Sequence, residues 1–163
     1  MTPEDFTRAF AYAFGDHDAA GLAELLADDG STQTLTGIWA EGREDARLAF
    51  EAEATGIFAR ARLVTGKGTV LPLASDVALL RQRFVVTGAI HEDGTEMPRF
   101  GAMLVAVLRS DGLNWRAAQL SFSRRGRALL RMVERRQADD GAGTATAAAP
   151  AAAHNREKQR LLS

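Results

Sequence analysis

Near residue 60 the period of the hydrophobic pattern changes, and that change limits the chain to a few architectures. Upstream, Phe6, Phe10 and Phe14 recur at spacing four, which puts three rings on one face of a helix. Downstream, segments near 61–72, 77–88, 97–109 and 113–123 alternate, with β-branched and aromatic residues between turn signals. Asp93-Gly94 and Asp111-Gly112 suit tight hairpins, because glycine accepts the positive φ of primed turns. Pro72 to Asp76 supplies the remaining reversal. Helices first and an antiparallel meander after them define an α+β chain.

The N-terminal third resolves into three helices. Thr2-Pro3-Glu4-Asp5 is a helix start, with a capping hydroxyl, proline in the first turn and acid beside it. Asp18 caps a second helix whose stripe is Leu22, Leu25 and Leu26, and Asp28-Asp29-Gly30 is read as its end. Residues 31–38 are Thr-rich and fit a short strand. A third helix is expected from about Arg43 to Phe58.

The strand at 97–109 is apolar on both faces: Phe100, Ala102, Leu104, Ala106 and Leu108 on one, Met103, Val105 and Val107 on the other. A sheet with one wet face would alternate with polar residues, so something covers the second face. A homodimer through the outer sheet face is the simplest cover, and a folded-back C-terminal helix is the rival. Residues 124–137 read as that helix, basic and amphipathic, with Arg127, Arg131 and Arg135 at spacing four. Residues 138–163 open with an Ala/Gly/Thr-rich low-complexity run and are expected to form a disordered tail. The organisation is therefore a domain at 1–123, a basic helix and a tail.

Composition narrows the chemistry. With 163 residues the chain has room for one domain with a proper core. It has no cysteine, which removes thiolate nucleophiles, disulfides and Cys-based metal sites. The net charge of -1 creates no global field for nucleic acid or anionic lipid, so neither partner is expected. No apolar run approaches membrane-spanning length and no signal peptide is recognisable, so a cytoplasmic protein is the expectation. His17, His91 and His154 lack a second ligand at suitable spacing, so no metal or cofactor is expected.

Four pieces carry a family resemblance: Leu25-Leu-Ala-Asp-Asp29, Thr36-Gly-Ile-Trp39 with Gly42-Arg-Glu44, Ser75-Asp-Val-Ala78, and Asp111-Gly-Leu-Asn-Trp-Arg116. In this order they resemble the nuclear-transport-factor-2-like superfamily, and within it the SnoaL-like group and its SgcJ/EcaC branch. The resemblance covers residues 4–123 and implies a cystatin-like cone, a curved antiparallel sheet wrapped around three helices. It also implies a pocket for an apolar small molecule, a sheet-to-sheet dimer and a role in polyketide-type secondary metabolism. The steroid isomerases of this superfamily use a tyrosine and two aspartates. This chain has Phe10 and Thr34 at two of those places and Gly101-Ala-Met-Leu104 around the third. Where SnoaL-like relatives carry His-x-His on the last strand, it has Gln119 and Ser121. An amide and a hydroxyl orient a ligand but are no bases near neutral pH.

The expected pocket lining is therefore Thr34, Trp39, Gln82, Arg99, Trp115, Gln119 and Ser121, with no catalytic residue assigned. Alternation places Trp115, Gln119 and Ser121 on one face of the last strand, read as the concave one. Four of them have a structural alternative: backbone hydrogen bonding for Gln82 and Gln119, a lid over the strand–helix junction for Trp39, a surface ion pair for Arg99. Glu51 and Glu53 lie about 200° apart on the third helix, so at most one faces inward, where a raised pKa would suit a base; both are read as solvated. A non-catalytic module that engages an acidic partner through residues 124–137 remains the competing function.

Overall fold

In the computed structural model, residues 1–126 and 135–138 are described. Residues Met1–Arg125 form one unit, built in the order α1 (Pro3–Gly15), α2 (Ala19–Glu24), β1 (Leu26–Gln33), β2 (Trp39–Glu41), α3 (Arg43–Thr55), β3 (Arg62–Ala74), β4 (Val77–Thr87), β5 (Phe100–Ser110) and β6 (Trp115–Arg124). The strands make one sheet in the order β2-β1-β6-β5-β4-β3. The β3–β6 meander is antiparallel throughout, and β1 joins β6 in parallel. Residues 135–138 are helical and exposed. Arg127 and Arg131 of the expected basic stripe, and residues 139–163 of the expected tail, lie outside the described residues. Arg124 ends β6 instead of opening a helix.

Helix α1 starts as its sequence dictates: the Asp5 carboxylate accepts from the Thr2 N–H at 3.0 Å and from its hydroxyl at 2.8 Å. Its apolar stripe lies on the sheet. Phe10 meets Phe122 edge-on at 5.2 Å between ring centroids and Phe84 at 6.0 Å, while Phe14 reaches Phe58 at 5.6 Å. Such pairs add about 0.5–1.5 kcal/mol each beyond area burial. The space beneath α1 is thus filled by rings, and the inner face of the sheet is core where the sequence suggested an enclosed pocket.

The second helix is shorter than its leucine pattern suggests. It stops at Glu24, and Leu26 enters β1, fully buried against the sheet. The free backbone of β6 decides this, since the Ala117 N–H donates to the Leu25 carbonyl at 2.8 Å. Asp28, Asp29 and Gly30 therefore sit in a bulged strand and end no helix. Gly30 is required there, because a Cβ would stand 2.6 Å from the Ala117 carbonyl oxygen. The strand expected at 31–38 becomes the end of β1, a turn at 34–38 and then β2.

Candidate functional site

A second bulge re-aims the last strand. Val107 pairs with Gln119 and Leu108 with Ala117, so Ala118 is an extra residue in β6. An extra residue reverses which face the following side chains occupy. Trp115 and Ala117 pack toward the core, but Gln119 lies opposite Val107 and Ser121 opposite Val105, on the outer face. Strict alternation had put Gln119 and Ser121 on the concave face, and the bulge corrects that placement. There Ser31 donates its hydroxyl to Gln119 Oε1, and the Gln119 amide donates to Ser121 Oγ at 3.3 Å.

The remaining lining candidates also separate. Thr34 is buried in the turn after β1, where its hydroxyl accepts from the Ile38 N–H at 3.2 Å. Trp39 is 55% exposed, and its indole N–H donates to Glu41 at 3.3 Å. Arg99 is exposed just before β5 and makes no ion pair with a described residue. Gln82 is buried on the inner face, as its alternation with Leu80 and Phe84 requires.

Gln82 belongs to a groove of about 610 Å³ between α1 and the β3–β4 hairpin. Glu4, Thr7, Arg8 and Ala11 of α1 line one wall, and Thr65, Thr69, Val70 and Leu80 line the other. A bulge between Thr65 and Gly68 opens the hairpin here. The Gln82 amide donates to the Gly66 carbonyl at 2.8 Å and to the Arg83 carbonyl at 2.9 Å. Its Oε1 accepts only a long bond from the Thr7 hydroxyl, 3.4 Å, leaving acceptor capacity beside the groove. Gly68 makes room for this side chain, since a Cβ there would stand 1.8 Å from Gln82 Oε1.

A second cluster lies where α1, α2 and α3 meet, and sequence reasoning missed it. Glu53 is buried on α3, and its carboxylate accepts from the Thr36 N–H at 2.8 Å. Burial pushes its pKa above the ordinary carboxylate value, while hydrogen bonds from Thr36 and Thr34 partly offset the rise. Ala46, Ala49, Phe50 and Glu53 are the buried residues of α3. The spacing of Glu53 from Phe50 and Ala49, three and four residues, was the available signal.

Elsewhere the charges are compensated in part. Around β1, β5 and β6, Arg43 pairs with Asp28, Arg109 with Asp29 and Arg116 with Asp111. Their carboxylates are open to water, which screens the pairs, so each contributes little to stability. On the outer face, Lys67, Arg81 and Arg83 border a cleft of about 420 Å³ and pair with no described carboxylate. No cluster of three His, Asp or Glu suited to a metal occurs among the described residues. Nor, among them, is any helix long and apolar enough to cross a membrane.

Comparison with solved structures places the fold. An uncharacterised protein with a cystatin-like fold from Caulobacter vibrioides matches with TM-score 0.70 at 20% identity, over 78% of this chain and 90% of the other. An NTF2-like protein with a cystatin-like fold from Novosphingobium aromaticivorans matches with TM-score 0.62 at 21% identity, over 78% and 83%. A ketosteroid isomerase-like protein from Erwinia carotovora atroseptica matches with TM-score 0.64 at 18% identity, over 74% and 92%. No family model matches the chain, and no curated protein matches it. The protein has the cystatin-like α+β fold that the sequence resemblance implies.

Proposed function

We propose that this protein binds a small amphipathic molecule in the groove between α1 and the β3–β4 hairpin. It serves a polyketide-type secondary-metabolic step, a cyclisation, isomerisation or hydration, by holding the substrate in one shape. The groove itself carries this reading. Its volume of about 610 Å³ lies in the range of small-molecule sites, and its walls combine Ala11, Val70 and Leu80 with a few convergent polar groups. Arg8 offers a cation to a carboxylate or enolate, and Gln82 offers an acceptor to a hydroxyl.

6-Hydroxy-2-naphthoate, an aromatic anion that also carries a hydroxyl donor, is a suitable probe. Gln82→Leu is expected to weaken its binding about tenfold, the equivalent of one hydrogen bond to a buried group. Gln119→Leu, on the outer face, is expected to leave it unchanged. Equal effects from the two substitutions, or none from either, would refute the groove as the site.

We further propose that two copies pair through the outer sheet face in the cytoplasm. Met103, Val105 and Val107 form a half-buried apolar row on β5, and Lys67, Arg81 and Arg83 stand to its β3–β4 side. A contact centred on β5 and β6 leaves those cations at the rim, where water screens them. Sedimentation should give a dimer mass that Val105→Glu converts to a monomer. A monomer in the wild type at micromolar concentration would end this idea.

A further inference from the structure

His17 is the one non-glycine residue with left-handed backbone among the described residues, at φ 57°. It closes α1: its own N–H donates to the Phe14 carbonyl at 3.2 Å, and the Asp18 N–H reaches back to the Ala13 carbonyl at 2.9 Å. That pattern normally carries glycine at this position, because a Cβ is strained there. A histidine kept in a glycine position has to be explained by its side chain. The imidazole turns inward, and its Nε2 is buried with no hydrogen-bond partner among the described residues. An unpaired buried nitrogen is unfavourable by itself. Backbone and side chain are thus both strained at one residue.

His17 lines a small, partly enclosed cavity walled by Phe14, Leu22, Phe50 and Phe58, and the other polar group on its lining is Glu53. The free volume is about 10 Å³, close to the least that holds one water. We propose that His17 and Glu53 together form a site for one hydroxyl oxygen, that of a water or of a small alcohol or phenol, held between the imidazole Nε2 and the carboxyl group. A hydroxyl is the chemistry that fits, because its oxygen donates to Nε2 and still accepts from a protonated carboxyl, and a water has a second hydrogen to donate to a carboxylate. The aromatic wall suits the ring of a phenol if Phe14 and Phe58 part to admit it. His17 and Glu53 are the titratable groups on this lining, and Asp16 and Asp18, which flank His17, are both exposed. The site is separate from the α1–β3 groove. It sets an imidazole and a carboxyl group on the same oxygen, a pair of groups through which a proton can pass to or from a bound molecule.

Nuclear magnetic resonance tests this directly on the full chain. The His17 Nε2 signal should be that of a hydrogen-bonded acceptor, should show exchange with a long-lived water, and should move in Glu53→Gln. Added phenol separates the two sources. Saturable shifts at His17 and Phe58 identify a small-molecule hydroxyl, and a persistent water signal without them identifies water. His17→Gly accommodates the backbone and should fold, and His17→Asn, which also tolerates left-handed φ, controls for loss of the ring. In His17→Gly the water signal should vanish, phenol binding should fall about tenfold where it exists, and the Glu53 carboxyl titration should move. A dry cavity, or Glu53 titration identical in wild type and His17→Gly, overturns the proposal.

Discussion

Gln82 and Glu53 are buried to nearly the same degree, 5% and 6% exposed, yet the fold treats them differently. Gln82 is neutral, and two backbone carbonyls take its amide hydrogens. Its burial is compensated, and one face of the amide is left for a ligand. Glu53 carries a group whose charged form the interior disfavours, and its backbone partner is one N–H in the β1–β2 turn. Burial alone therefore does not mark a chemically poised group; the balance between desolvation and partners does.

Truncating each side chain should expose that difference. Glu53→Ala empties the space that the buried side chain fills beside Phe14, Phe50 and Phe58 and removes the acceptor of the Thr36 N–H, which should destabilise the protein by about 1–3 kcal/mol. Gln82→Ala frees the Gly66 and Arg83 carbonyls, but Gly66 is exposed on the edge strand β3, where water can replace the amide. Its expected effect is smaller, about 0.5–1.5 kcal/mol. Urea denaturation of both variants measures the order. If Gln82→Ala proved the more damaging, the contrast between a compensated and an uncompensated polar group would fail.

The two groups were not equally legible in the sequence. Strict period-two alternation from Ala78 to Val86 put Gln82 on the inner face, and β4 has no bulge in its pairing with β5. The same rule misplaced Gln119 and Ser121, because nothing local announces that Ala118 is the extra residue. The bulge is a property of two strands paired together, and a single strand's sequence does not contain it. Helix α2 was over-extended for a related reason: the backbone of β6, about ninety residues away, claims Leu25 and Leu26. Glu53 was read as solvated on composition, since glutamate is seldom buried. Its partner, the Thr36 N–H, belongs to a turn whose position depends on β1 and β2 first being paired. The hairpin order, by contrast, came through intact, because Asp93-Gly94 and Asp111-Gly112 act locally: Gly94 and Gly112 both adopt positive φ.

The finest distinction between the two groups is their response to pH. Glu53 has its folded-state pKa raised above the ordinary value of 4.5. Below that value the carboxyl is protonated in both states and costs nothing. As pH rises through it, the unfolded chain releases the proton while the folded protein retains it, so stability falls until the folded pKa is passed. Glu53→Gln keeps an acceptor for the Thr36 N–H and cannot ionise, so it should lack this decline. The stability of Glu53→Gln relative to wild type should therefore grow from acid to neutral pH and then level off. Asp5, Asp29, Glu44, Asp93 and Asp111, whose pKa values are lowered, contribute the opposite slope. They are common to both proteins and cancel in the difference. Gln82→Glu puts the same question to the groove: with water at hand, the new carboxylate should give a weaker pH dependence than Glu53 does. Denaturation midpoints taken across the acid range measure both slopes. A flat difference between Glu53→Gln and wild type would show that the Thr34 and Thr36 hydrogen bonds fully offset the burial of Glu53, leaving it no more poised than Gln82.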